Sequence, residues 1–161
     1  LEHMGMGRVA LIGHGLGAVV ALMYASRYPR FVDRVMSICL PVGEVNISSR
    51  LASESPESLA NWLLSDLPIS EAVRVEAPKT DALAIRTSLQ QLNEQDLLDL
   101  ALNLPTPCLL IHGQMDPAIS LKDPLQNVYA LPPNTHHIIF EQSGHFPMLD
   151  EPSKFNRLMA D

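Results

Sequence analysis

The chain alternates between short, unbroken apolar runs and longer stretches in which apolar residues return every three or four positions. Residues 8 to 13, RVALIG, form a compact apolar run closed by glycine, and residues 16 to 28 continue with Ala, Leu, Val and Met as far as Tyr28-Pro29. A run too short for a helix, followed by helix formers that stop at proline, predicts a strand, a tight turn and a helix. Residues 32 to 41, VDRVMSICLP, make a second apolar run in which Val35, Met36, Ile38, Cys39 and Leu40 leave no room for an alternating polar face, the pattern of a strand covered on both sides. Strand, helix, strand in that order predicts a right-handed parallel crossover.

Residues 44 to 104 change period. SPESLANWLLSD, ISEAVRVEA, KTDALAIRTSLQQL and NEQDLLDLAL read as short amphipathic helices, with Ser, Thr or Asn at the caps and Pro as punctuation. Trp62, with Leu59, Leu63 and Leu64 around it, reads as a helix face packing inward. Apolar runs return at 106 to 113, TPCLLIHG, and at 136 to 141, HHIIFE, with a helix near 121 to 130 between them and a last helix over about 152 to 160. The fold class is therefore α/β: a parallel sheet of about four strands with crossover helices, interrupted after the second strand by a helical insertion of about sixty residues.

Composition narrows what such a fold can meet. At 161 residues the chain is the size of one domain. It has 47% hydrophobic residues and no run near the roughly 18 needed to cross a bilayer, so no membrane partner is expected. A net charge of −7, with eleven scattered Lys and Arg, argues against nucleic acid, which demands a basic cluster. Cys39 and Cys108 each sit in an apolar run, where a buried free thiol is the usual outcome, so a reducing, cytoplasmic setting is expected. Leu1-Glu2-His3-Met4 has the look of residue left by two cloning sites, which sets residues 1–6 apart from a domain over 7–161.

The turn after the first strand, Gly13-His14-Gly15-Leu16-Gly17-Ala18, fits two motifs. As G-x-G-x-x-A it opens a dinucleotide-binding unit; as G-x-S-x-G it is a nucleophile elbow with glycine in place of serine. The first motif needs an acid at the far end of the next strand to hold a ribose. Asp33 stands at the near end, and the far end reads Leu40-Pro41. The second motif requires an acid and then a histidine, each after a later strand. PCLLIHGQMDPAIS supplies Asp116 after the strand at 106 to 112, and FEQSGHFPMLDEPSKFNRLM supplies His145 after the last strand.

With the GHGLGAVVALMYASRYPRFVDRVMSI turn and helix, the P-x-L-L-I-H-G-x-x-D acid loop and the GHFPMLDEP histidine loop in place, the chain from about residue 7 onward resembles the carboxyl-terminal half of an α/β-hydrolase fold protein. The resemblance implies a catalytic set of Gly15 at a vacant nucleophile position, Asp116 orienting the base and His145 as base, with the Leu16 N–H as an oxyanion-hole donor. It also implies that 44–104 is a cap over the site, beneath which a small molecule would bind.

Two departures qualify that set. Gly15 has no side chain, so covalent attack from that position is impossible. The family's four strands before the elbow, with their His-Gly loop that supplies half of the oxyanion hole, are not read in this chain. Serine hydrolases stripped of one triad member keep roughly 10³ to 10⁴ over water through the oxyanion hole and binding, and here half of that support is missing too.

The expectation is a truncated, non-catalytic binding, assembly or sub-domain module. The alternative is a fragment or inactivated form of a hydrolase acting on small ester-like substrates. No cofactor is expected. No metal is expected either, because the side chains of adjacent His136 and His137 point to opposite faces of their strand. Ser143, two residues before His145, lacks an elbow and is set aside as a nucleophile; His112, at a strand end, reads as structural. Without upstream strands the first strand is an open edge, so the partner expected there is a second copy, as a homodimer, or a missing amino-terminal half.

Overall fold

The computed structural model describes residues 3, 5–40, 45–92, 97–121 and 132–160. In chain order its strands are β1 (Val9–His14), β2 (Val32–Ile38), β3 (Val45–Ile47), β4 (Cys108–Gly113), β5 (Ile119–Leu121) and β6 (Thr135–Phe140). Its helices are α1 (Leu16–Arg27), α2 (Arg50–Ser53), α3 (Pro56–Leu63), α4 (Ser70–Glu76), α5 (Ala82–Leu92), α6 (Leu97–Leu102), α7 (Pro147–Asp150) and α8 (Pro152–Ala160). The expected sheet is present: four strands in the order β1-β2-β4-β6, with β1 parallel to β2 and β2 parallel to β4. The chain forms two compact units, one of Leu1–Val45, Asp96–His112 and Leu121–Ile139, the other of Asn46–Gln95, Gly113–Ser120 and Phe140–Asp161.

The first unit holds nearly all of the main sheet. Register pairs Leu11 with Val35, His14 with Ile38, and Ile38 with Ile111, so the apolar runs seen in the sequence become adjacent rungs. Ala18, Val19, Ala21, Leu22 and Ala25 form the buried stripe of α1, three to four residues apart as one helix face requires. Burying Leu22 completely contributes roughly 1.5–3 kcal/mol. The helix ends where Tyr28 precedes Pro29, with the Tyr28 N–H donating to the Tyr24 carbonyl, since a residue before proline is pushed out of the helical region. β1 is an edge of this sheet among the described residues. Ile12 of β1 and Leu16, Val20 and Met23 of α1 are exposed, Val20 by 60%.

The second unit holds helices α2 to α5 of the insertion. Ser55 caps α3 by accepting the Ser58 N–H at 3.2 Å, and Pro56 takes the first helical position, where its missing N–H costs nothing. Leu59, Ala60 and Leu64 are buried. Arg50 lies 4.1 Å above the Trp62 ring while pairing with Glu54. Phe140 and Phe155 pack at 6.4 Å, joining the end of β6 to α8.

The structure departs from the sequence reading in four places. A second sheet pairs β3 with β5; each strand is three residues long, too short for any period to show. Short helices α2 and α7 were likewise below that threshold. Cys39 lies past the end of β2 instead of inside it, at φ 51, a left-handed conformation that a residue with a Cβ rarely adopts; its N–H donates to the Ile111 carbonyl at 2.8 Å. Helix α6, read as part of the insertion, belongs to the first unit. The helix expected near 121 to 130 lies outside the described residues.

Candidate active site

In the first unit the turn between β1 and α1 is built from backbone alone. Gly15 is the cap of α1 with φ 53 and ψ −120 and makes no side-chain hydrogen bond. Its N–H donates to the Ile38 carbonyl at 2.9 Å, and its carbonyl accepts from Ala18 at 3.0 Å and Val19 at 3.4 Å. Glycine reaches that φ at little cost, whereas a side chain there would be strained. A sharp, strained strand-to-helix turn is the backbone form of a nucleophile elbow. Gly13 lets it close: a Cβ at that position would lie 2.2 Å from the Gly17 carbonyl oxygen. Leu16 follows as the first residue of α1, where helix geometry gives its N–H no acceptor within the helix.

In the second unit Asp116 and His145 come together across 29 residues of sequence. The His145 Nδ1 lies 2.8 Å from Asp116 Oδ2, with the Asp116 side chain 0% exposed. The other carboxylate oxygen accepts the Ala118 N–H at 2.8 Å and the Ile119 N–H at 3.1 Å. Burial by itself would push the Asp116 carboxyl up. The hydrogen bond and charge of His145, helped by the two amides, outweigh it and hold the pKa below the ordinary carboxylate value. An ionised Asp116 accepts the Nδ1 proton, which fixes the tautomer and directs proton exchange through Nε2.

The loop carrying His145 is fastened on several sides. Met115 N–H donates to the Ser143 carbonyl at 2.9 Å, and a Cβ at Gly113 would sit 1.9 Å from the Gly144 carbonyl oxygen. Gly113 is thus what lets the acid loop and the histidine loop touch backbone to backbone. The Ser143 hydroxyl, fully buried, donates to Glu151 Oε2 at 2.6 Å, and the same oxygen accepts the Gln142 N–H at 3.2 Å. Asp150 Oδ2 accepts the Gly144 N–H at 2.9 Å. Sequence reasoning missed Gly113, Asp150 and Glu151; the signals available were a glycine at a strand end directly before the acid loop, and two acids directly after the histidine loop.

Other candidates are occupied structurally. In the first unit His112 Nε2 donates to the Leu40 carbonyl at 2.6 Å, leaving Nδ1 to accept from His137 Nε2 at 2.9 Å. Burial, and then the neighbouring His112, lower the His137 pKa to about 4. Burial pushes the Cys108 thiol up to about 12 against a smaller opposing effect from Ser37, so no thiolate is available there. Among the described residues, no helix is long and apolar enough to cross a membrane.

Comparison with known proteins agrees with this architecture. Residues 1–158 match the Alpha/beta hydrolase family. An uncharacterized protein of Mycobacterium tuberculosis is 28% identical over 191 residues, 96% of this chain and 55% of that protein. A pimeloyl-(acyl-carrier protein) methyl ester esterase of Vibrio vulnificus is 32% identical over 78 residues, 48% of this chain and 30% of the esterase. Among solved structures, an esterase from Exiguobacterium antarcticum superposes with a TM-score of 0.78 at 17% identity, over 99% of this chain and 68% of its own. A meta-cleavage product hydrolase from Pseudomonas fluorescens gives 0.74 at 20% identity, over 98% and 65%. These identities establish a shared fold. The chain spans about half the length of the Mycobacterium relative that it matches almost end to end.

Proposed function

From the premise that this chain belongs to the Alpha/beta hydrolase family, we propose that it keeps the elbow backbone and the acid–base pair of a hydrolase but holds no nucleophile, and works as a binding, assembly or sub-domain module. The observation that carries this is Gly15: the cap of α1, in the strained conformation of an elbow, has no side chain. Acyl transfer by the family's route starts from an oxygen or sulfur at that position. The family order of nucleophile, acid and histidine gives Asp116 the role of orienting His145, His145 that of base, and the Leu16 N–H that of oxyanion donor.

The pair itself favours a second reading. A buried aspartate bonded at 2.8 Å to an imidazole is costly to keep where no proton is moved. Together with the 55% coverage of a relative, this supports a fragment or an inactivated form of a hydrolase acting on small ester-like substrates; the names of the Vibrio and Exiguobacterium proteins favour ester chemistry without favouring a size of substrate.

One assay separates the readings: short acyl esters offered to the unmodified chain, to Gly15→Ser and to His145→Ala. The module reading expects no turnover by the unmodified chain, and turnover that His145→Ala abolishes would sink it. Turnover gained by Gly15→Ser and lost in the double variant would support the second reading.

The reading extends to a partner. The exposed residues Leu16, Val20 and Met23 lie on one face of α1 beside the β1 edge. A two-fold axis through that edge would bring this stripe against its own copy, so the occupant proposed is a second copy of this chain.

A further inference from the structure

We infer that Asp150 is a positioning residue for His145, and that it connects the histidine loop to the helical insertion. The inference rests on the reading of His145 as the base.

Asp150 binds both neighbours of His145. Its side-chain Oδ2 accepts the Gly144 N–H at 2.9 Å, and its own N–H donates to the Phe146 carbonyl at 3.0 Å. A residue gripped on both flanks has little freedom of its own, so the imidazole is aimed at Asp116 by its backbone before their mutual bond forms.

The second carboxylate oxygen does something the loop does not require. Asp150 Oδ1 accepts the Ser65 hydroxyl at 2.5 Å, across 85 residues of sequence. Ser65 lies two residues past α3, in a turn held by Arg74 of α4. That guanidinium donates to the Leu64 carbonyl at 3.3 Å, the Ser65 carbonyl at 3.1 Å and Asp66 Oδ1 at 3.3 Å. An unbroken hydrogen-bonded chain thus runs from α4 through the 64–66 turn and Asp150 to both flanks of His145, all inside the second unit. Glu151, holding Gln142 and Ser143, fastens the far end of the same loop but makes no described bond to the insertion. Whatever shifts α4 or its turn, a ligand included, therefore acts on the aim of the imidazole through Asp150.

The test reads the Asp116–His145 bond directly, through the far-downfield Nδ1 proton resonance of His145 and its exchange with water, on the chain as it exists. In Asp150→Ala the exchange should quicken roughly tenfold, the weight of one charge-assisted hydrogen bond, while the amide resonances of β2 and β4 stay in place. Asp150→Asn keeps an acceptor for Gly144 and should restore most of the protection. Ser65→Ala, which touches neither partner of the pair, should quicken exchange several-fold, and this variant keeps the inference testable if Asp150→Ala fails to fold. Unchanged exchange in Asp150→Ala or in Ser65→Ala overturns it, as does failure of asparagine to rescue. The readout is a bond and not turnover, so this failure is distinct from silence of Gly15→Ser in the ester assay.

Discussion

Replacing Gly113 by alanine should do more damage than one methyl group ordinarily does. The added Cβ would stand 1.9 Å from the Gly144 carbonyl oxygen and 2.5 Å from that of Ser143. Both are backbone atoms, so no rotamer change relieves the contact. Reaching even 3.0 Å from Gly144 demands a backbone retreat of about 1.1 Å. The 2.8 Å bond between Asp116 and His145 spans the same two loops, and a retreat of that size stretches it beyond hydrogen-bond reach. Overpacking typically costs about 1–3 kcal/mol and a charge-assisted bond about 1.5–3 kcal/mol. Together they put the loss at roughly 2.5–6 kcal/mol, a large part of the roughly 5–15 kcal/mol that holds a domain folded.

Urea unfolding measures this, with the midpoint falling by roughly 1–3 M and the His145 Nδ1 proton signal lost. Gly17→Ala is the control, since nothing lies within 4 Å of its Cβ. Inside α1 that change should stabilise by roughly 0.5–1 kcal/mol. A loss below about 1 kcal/mol for Gly113→Ala with the proton signal intact would refute the close-approach argument.

Burial, then His112, holds the folded His137 near pKa 4, against about 6.5 in an unfolded chain. Its neutral ring therefore stabilises the fold fully above about pH 6.5, and that contribution is lost as pH falls towards 4, because the unfolded chain takes up a proton the folded one refuses. Discounting for the ring's partial exposure leaves about 1–2 kcal/mol; urea midpoints at pH 7 and 4.5 should differ less in His137→Leu than in the parent, and equal slopes would contradict this. Pairing of two copies through β1 predicts a dimer by light scattering after size exclusion, and Val20→Glu on the stripe should return it to monomer; a parent chain that is monomeric at low micromolar concentration counts against the pairing.

The pattern of apolar runs was enough to place β1, β2, β4 and β6, because each is six or seven residues long around an apolar centre, Ala10-Leu11-Ile12, Val35-Met36, Leu109-Leu110-Ile111 and Ile138-Ile139-Phe140. It also placed α1 and, in the insertion, α3, α4 and α5, which run for about two turns or more or carry a cap such as Ser55. Strands β3 and β5, three residues each, carry no period and exist only because the chain brings them side by side. Asp116 and His145 could be named from their motifs. That they bond, that Ala118 and Ile119 share the same carboxylate, and that Gly113 and Asp150 are what allow and aim the contact were decided by residues far apart in sequence meeting backbone to backbone. The absence of a side chain at Gly15 belongs to the sequence alone, whereas the strained turn that glycine occupies belongs to the fold. A residue type can be read in isolation; a φ of 53 is imposed by the strand on one side and the helix packed against it on the other.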